Sequence, residues 1–355
     1  MVAIILCIFV FAACGGSKSG GGSGGSGSSG GGDTGDKQLF VGALYDSLQV
    51  ESRVRQRDAL ISYADELGIR LEFQDGKLSE QLQMEQAENL ISQGVDAIII
   101  LCHNAEAMGP LVDMCNDNGV ILVVSDRIIP DQDYPYFAGF DDRFIGDWQA
   151  QYAVDRVPKG NYALFAGAPT DPNVIIWQNG WDRVLAPYVE SGDINIVFND
   201  TTTDWDTTIA ANNMENVLTL VNDDIQAVLA MADILSTGVI QVLEQHGLAG
   251  QVIVTGLDGE STAYQRIAEG TQSMTIQVED TALAIAMLDL IVDHFAGNDM
   301  SYLEVLDNGS YEVPAIFIDF TIVDESNLME MVSNGYADYD FTFENVPEAD
   351  RPPRP

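Results

Sequence analysis

From residue 38 onward, short, almost wholly apolar runs alternate with segments of helical period, and the alternation runs through the chain twice. The first series reads LFVGALY (39–45), a helical pattern from Val54 to Leu67, RLEFQD (70–75), a second helix from Ser79 to Ser92, AIIIL (97–101), a helix to Asn118, and VILVV (120–124). The second reads NYALFAG (161–167), INIVF (194–198), AVLAM (227–231), VIVTG (252–256) and SMTIQV (273–278), with helical patterns between them. Strands apolar at every position have no solvent face, so they belong in parallel sheets covered by helices on both sides. Repeated β-α units given twice predict an α/β fold of two doubly wound, Rossmann-like domains. The later pattern, one long helix over Thr281–Phe295 and one late strand AIFIDFTIV (315–323), does not simply extend the second series. A chain that crosses between the two domains three times would give this order and form a hinge beneath a cleft.

The chain has 355 residues, 46% of them apolar, enough for two cores. Its 55 acidic residues against 15 basic ones give a formal net charge of −40. Such a field repels phosphates, so nucleic acid is excluded as a partner, and contact with a membrane is expected only through an anchor. Four Lys against eleven Arg fit an acidic, hydrated surface suited to saline or alkaline surroundings.

Val2 to Ala13 (VAIILCIFVFAA) is an apolar run of twelve residues, too short to span a bilayer, which takes about 20. It suits a signal peptide over 1–13. The following Phe11-Ala12-Ala13-Cys14 resembles a bacterial lipobox, in which Cys14 carries diacylglycerol; a plain cleaved signal is the alternative. Residues 15–36 are nearly all Gly and Ser, with no side chain to bury. Such a tether reaches on the order of 25 Å. Residues 14–37 are therefore expected to be lipidated cysteine plus tether, placing the protein in the periplasm or on the cell surface. Cys102 and Cys115 read either as buried thiols or as a disulfide, which an exported protein permits. No metal spacing and no cofactor motif occurs.

Ligands of open α/β sheets bind at the carboxyl ends of strands. Those positions here carry Tyr45-Asp46, Cys102-His103-Asn104, Asp126-Arg127 and Asp141-Asp142 in the first half. The second half offers Asp171, Asn173, Asp233 and Asp258, with Trp177, Trp181 and Trp205 nearby. Asp, Asn and Arg together match the donors and acceptors of sugar hydroxyls, and indole rings pack on their C–H faces. Asp171 and Asp233 are also natural helix N-caps. Asp126-Arg127 is open to reading as a structural ion pair, and Trp181 as core.

The stretches GVDAIII (94–100), SDRII (125–129), GFDD (139–142), VPKGNY (157–162), LAPYVESG (185–192) and RIAEGTQSMT (266–275) resemble the periplasmic sugar-binding proteins of ABC importers, above all their xylose-binding members. The resemblance runs from about Phe40 to about Asp338. It implies crossovers near 140, 278 and 314, a first domain of 38–141 plus 279–313, a second of 142–278 plus 314–345, and a tail over 346–355. It further implies a monomer that closes on one monosaccharide and hands it to an ABC permease, with no enzymatic activity and no cofactor. Asp126, Arg127, Asn173, Trp205 and Asp258 match the family's ligand contacts. Arg53 stands in place of a stacking Trp, Gln178 of an Arg, Ala232 of an Asn and Val278 of a Lys. Arg53 and Trp177 are candidates to repair those losses. The expected ligand-binding set is thus Asp126, Arg127, Asn173, Trp205, Asp258, Arg53, Asp46, Tyr45, Asn104, Asp142, Trp177, Gln178 and Asp233. Three other roles are weighed against transport. A carboxylate-based hydrolase would show turnover. A repressor would need a DNA-binding head where the tether stands. A sensor input for a chemoreceptor or kinase, or capture of an autoinducer-2-type signal, would share the fold and change only the partner or the ligand.

Overall fold

The computed structural model describes residues 38–141 and 144–355, and Gln38–Pro355 form one compact unit. Cys14, the apolar run, the Gly/Ser segment and Asp142 lie outside the described residues.

The first sheet is built on β1 (Phe40–Tyr45), β2 (Arg70–Asp75), β3 (Ala97–Ile100), β4 (Ile121–Ser125) and β5 (Tyr136–Phe140), in the order β2-β1-β3-β4-β5, all parallel. Its helices are α1 (Glu51–Glu66), α2 (Glu80–Ser92) and α3 (Gly109–Asn118). All six β1 residues are buried because the sheet is covered on both faces. Val41, Ala43 and Tyr45 pack with Leu60 and Ala64 of α1, whereas Phe40 and Leu44 pack with Leu90 of α2 and Leu111 and Cys115 of α3.

The second sheet repeats the plan. β6 (Gly160–Ala166), β7 (Ile194–Thr201), β8 (Ala227–Ala230) and β9 (Ile253–Val254) run parallel in the order β7-β6-β8-β9. Between them come α5 (Pro172–Glu190), α6 (Thr207–Val221) and α7 (Asp233–Gln245); α8 (Ser261–Glu269) follows β9. β10 (Thr275–Val278) continues the layer through two backbone bonds, Ser273 N to Val254 O and Asp258 N to Ile276 O, each 2.9 Å. The two series therefore share one strand order.

The chain crosses between the layers three times. After β5 it enters α4 (Ile145–Arg156), which packs on α5. After β10 it returns as α9 (Asp280–Ala296), which packs on α1, β4 and β5. The third crossing lies at Asp319, later than the expected 314. β12 (Glu312–Ile318) pairs in parallel with Phe137–Phe140 in the first sheet, and β11 (Glu304–Asp307) is the edge strand beyond it. β13 (Phe320–Val323) then pairs antiparallel with β10. The single late strand read over 315–323 is thus two strands divided between two sheets. Both halves are apolar, so their periodicity carries no sign of the break. The carboxyl-terminal segment forms two short helices, α10 (Leu328–Ser333) and α11 (Tyr339–Thr342), which pack against α8.

Cys102 and Cys115 are free and buried, and burial pushes both thiols up to about 12. They are core thiols and not a disulfide.

Candidate functional site

The carboxyl ends of both parallel sheets open into one cleft of about 780 Å³, its mouth included. Its wall includes Asp46, Arg53, Asp126, Arg127, Asp171, Asn173, Trp177, Trp205 and Asp258.

The backbone at the end of β4 decides the polar half. Asp126 has φ +63°, and Arg127 N donates back to Ser125 O at 2.7 Å, closing a three-residue turn. In a continuing strand, neighbouring side chains would point to opposite faces. The tight turn instead keeps both in the cleft, and Asp tolerates that backbone better than most residues. Asp126 then accepts from Arg53 Nη2 at 2.6 Å, while Arg127 donates from Nη1 to Asp46 at 2.7 Å and from Nε to Asp171 at 2.6 Å. Arg127 Nη1 also reaches Cys102 O at 2.8 Å.

Asp171 caps α5 by accepting from Asn173 N at 3.0 Å, and with its other oxygen it holds Arg127. It therefore serves as both cap and wall. Asn173 Nδ2 donates to Asp126 O at 3.1 Å, leaving Oδ1 without a partner inside the protein. Burial opposes the charge on Arg127, yet Asp171, Asp46 and Asp126 hold its guanidinium pKa well above the ordinary value. Burial raises Asp171 and Asp258, against the lowering pull of Arg127 and Arg53 respectively. Each buried guanidinium is paired with carboxylates, which outnumber the two cations.

Trp177 and Trp205 meet edge to face, with ring centroids 6.4 Å apart, and neither indole N–H has a partner in the protein. Trp205 follows Asp204 in a turn where both residues have positive φ. Its ring lies over Gly167, where a Cβ would fall 2.0 Å from ring atom Cη2. Asp126, Asp204, Trp205 and Asp258 all hold left-handed backbone (φ +63°, +53°, +56° and +102°), so unusual conformations gather at the cleft.

Of the expected residues, Asp46, Arg53, Asp126, Arg127, Asn173, Trp177, Trp205 and Asp258 come together here. Four others do not line the cleft. Tyr45 is fully buried against Phe73 at 4.9 Å, because it is the last inward position of β1. Asn104 donates to Glu80 at 2.6 Å on the outer surface. Gln178 follows Trp177 on α5, about 100° further round the helix, and lies off the cleft wall. Asp233 is fully buried and accepts from Gln272 Nε2 and Thr275 Oγ1, both at 2.7 Å, and from Glu260 N at 3.1 Å. It opens α7 without capping it, since Ala232 holds the N-cap position. Trp181 is core, as its place on a helix suggested. Sequence reasoning placed Asp171 among the strand-end polar residues and read it also as a cap, but left it out of the ligand-binding set and passed over Gln49, Val50, Ile145 and Asp204, which the crossover and the turns bring to the wall.

Among the described residues, no group of His, Cys, Asp and Glu is placed to hold a metal ion, and no helix is long and apolar enough to cross a membrane.

Two doubly wound sheets, crossed three times by the chain and sharing a polar cleft at their strand ends, define the type I periplasmic binding protein fold. The chain belongs to that family: residues 49–299 match the model of the periplasmic binding protein domain. It is 34% identical to the D-xylose-binding periplasmic protein of Escherichia coli, over 83% of this chain and 90% of that protein. It is 31% identical to the protein of the same description from Haemophilus influenzae, over 83% and 89%. In fold it resembles a carbohydrate transporter solute-binding protein of Chloroflexus aurantiacus, solved in complex with D-glucose. That match has a TM-score of 0.80 and 24% identity, over 86% of this chain and 98% of the other.

Proposed function

We propose that this protein is the solute-binding component of an ABC importer, that it closes on one monosaccharide, and that it presents the closed form to a permease. One observation carries the reading: Arg127, at a strand end of the first sheet, is held at once by Asp46 of its own layer and Asp171 of the other. A group that joins both walls couples ligand capture to closure. Around it, the unpartnered Asn173 Oδ1 and the two indole N–H groups give one acceptor and two donors, and the Trp rings give apolar faces. That is the chemistry of a polyol ring.

The two D-xylose-binding relatives favour a pentose or related aldose as the solute. The two layers act as the two domains, with the chain crossings that lead into α4 and α9 and the β12–β13 link as the hinge. A lipid on Cys14 with the Gly/Ser segment as tether completes the reading, keeping the protein beside its permease. The decisive experiment is mass spectrometry of small molecules released from freshly purified protein, followed by calorimetry with pentoses and hexoses. A released monosaccharide that rebinds supports the proposal. A released ligand without hydroxyls, or no heat and no rise in melting temperature with any aldose, overturns it.

A further inference from the structure

The cleft wall contributed by the second sheet changes character along the sheet. At the end of β6 it is polar, through Asp171 and Asn173. At the ends of the neighbouring β8, β9 and β10 it is formed by Ala232, Ile234, Leu257 and Val278, with Ile145 of α4 beside them. Three main-chain carbonyls there are already engaged. Ala232 O already accepts from Leu235 N, Ser236 N and Ser236 Oγ, and Leu257 O accepts from Asp233 N at 2.9 Å. Val278 O accepts from the Gln277 side chain. Asp258 is the polar side chain on this stretch, and the Arg53 guanidinium from the opposite layer is the strongest charge acting on it. Ile145, Ala232, Leu257 and Val278 are each no more than 4% exposed, so a hydroxyl lodged against these four side chains finds no partner among them and little water.

Resting on the monosaccharide reading above, we infer that this aliphatic wall selects sugars whose C5 carries no hydroxymethyl group. A pentopyranose places its ring methylene there, and a 6-deoxyhexopyranose places its methyl. The polar end, from Asp46 to Asn173, takes the ring hydroxyls. A hexose with a C6 hydroxyl must bury that group unpaired, a loss of about tenfold or more in affinity. A methyl group gains apolar contact that the bare methylene lacks, so the 6-deoxyhexose binds at least as tightly as its pentose.

The test is calorimetry with stereochemically matched trios: D-xylose, 6-deoxy-D-glucose and D-glucose; L-arabinose, D-fucose and D-galactose; L-lyxose, L-rhamnose and L-mannose; D-arabinose, L-fucose and L-galactose. In whichever trio binds, the hexose should be weaker than its 6-deoxy partner by about tenfold or more. A hexose that equals or exceeds its 6-deoxy partner overturns the inference while leaving sugar capture standing. Silence from all four trios overturns the inference, and silence extended to every other aldose removes the monosaccharide reading as well. Ala232→Asn, which sets an amide into the wall, should narrow the gap between hexose and 6-deoxyhexose. A gap unchanged in a variant that melts like the parent would also count against the wall as selector.

Discussion

The first residues of α1 and α8 cap one another across the two layers. Glu51 N donates to Glu260 Oε1 at 2.9 Å, while Glu51 Oε2 accepts from Ser261 N at 2.8 Å and Ser261 Oγ at 2.6 Å. Each helix start thus receives its acceptor from the other layer rather than from its own N-cap residue. Replacing Glu51 by Ala removes two charge-assisted bonds and a carboxylate at the start of α8. Bonds to charged groups contribute about 1.5–3 kcal/mol when buried, and a helix-end charge about 0.3–1. The Glu51 side chain is 43% exposed, so solvent screening reduces this sum. A net loss of about 1.5 kcal/mol is expected, close to tenfold in an equilibrium constant. If the contact exists only in the closed form, Glu51→Ala weakens ligand binding about tenfold by calorimetry, while the ligand-free melting temperature barely moves. Glu51→Gln, which keeps a neutral acceptor, should fall between parent and Ala. Unchanged affinity with an unchanged melting temperature would refute the cap as a latch. A lowered ligand-free melting temperature with unchanged affinity would show that the contact persists in the open form.

Arg127→Met leaves Asp46 and Asp171 buried without their shared cation, which costs about 3–5 kcal/mol in denaturant unfolding and should abolish sugar binding; parental stability would contradict the bridge. Gly167→Ala drives a Cβ into the Trp205 ring, so binding should drop and indole fluorescence shift while the fold persists; a spectrum like the parent's would show that Trp205 does not rest there. Burial, reinforced by Asp258 and neighbouring carboxylates, pushes Glu260 up to about 8, and burial likewise takes Asp233 to about 7 and Asp280 to about 6. These folded values lie above the unfolded ones, so the groups bind protons more tightly in the native state. Their stabilisation is full below about pH 4 and is lost as pH rises through 6 to 8. Denaturation midpoints across that window should fall, and Glu260→Gln should flatten the upper part of the slope; an identical slope in the variant would contradict the assignment.

Sequence alone determined the class of fold, because a strand with no polar face is stable only inside a helix-covered parallel sheet, and that pattern occurs twice. It also indicated which side chains would gather at the cleft, since Asp46, Asp126, Arg127, Asn173 and Asp258 all line it. It could not separate cleft from core at those ends. Tyr45 and Asp46 are adjacent in sequence, yet one packs on Phe73 and the other holds Arg127. Which of two neighbours faces the cleft depends on where the strand stops and how the next turn bends. Asp233 shows the same limit: its partners Gln272 and Thr275 lie about forty residues away and meet it only once β8, β9 and β10 are side by side. The break at Asp319 depends on which of two sheets has an open edge, a property of the assembled layers and not of an apolar run. Local periodicity reports burial, whereas the partner of a buried group is chosen by residues distant in sequence. The polar clamp from Asp46 through Arg127 to Asp171, and the aliphatic wall beyond it, were therefore decided by the tertiary structure.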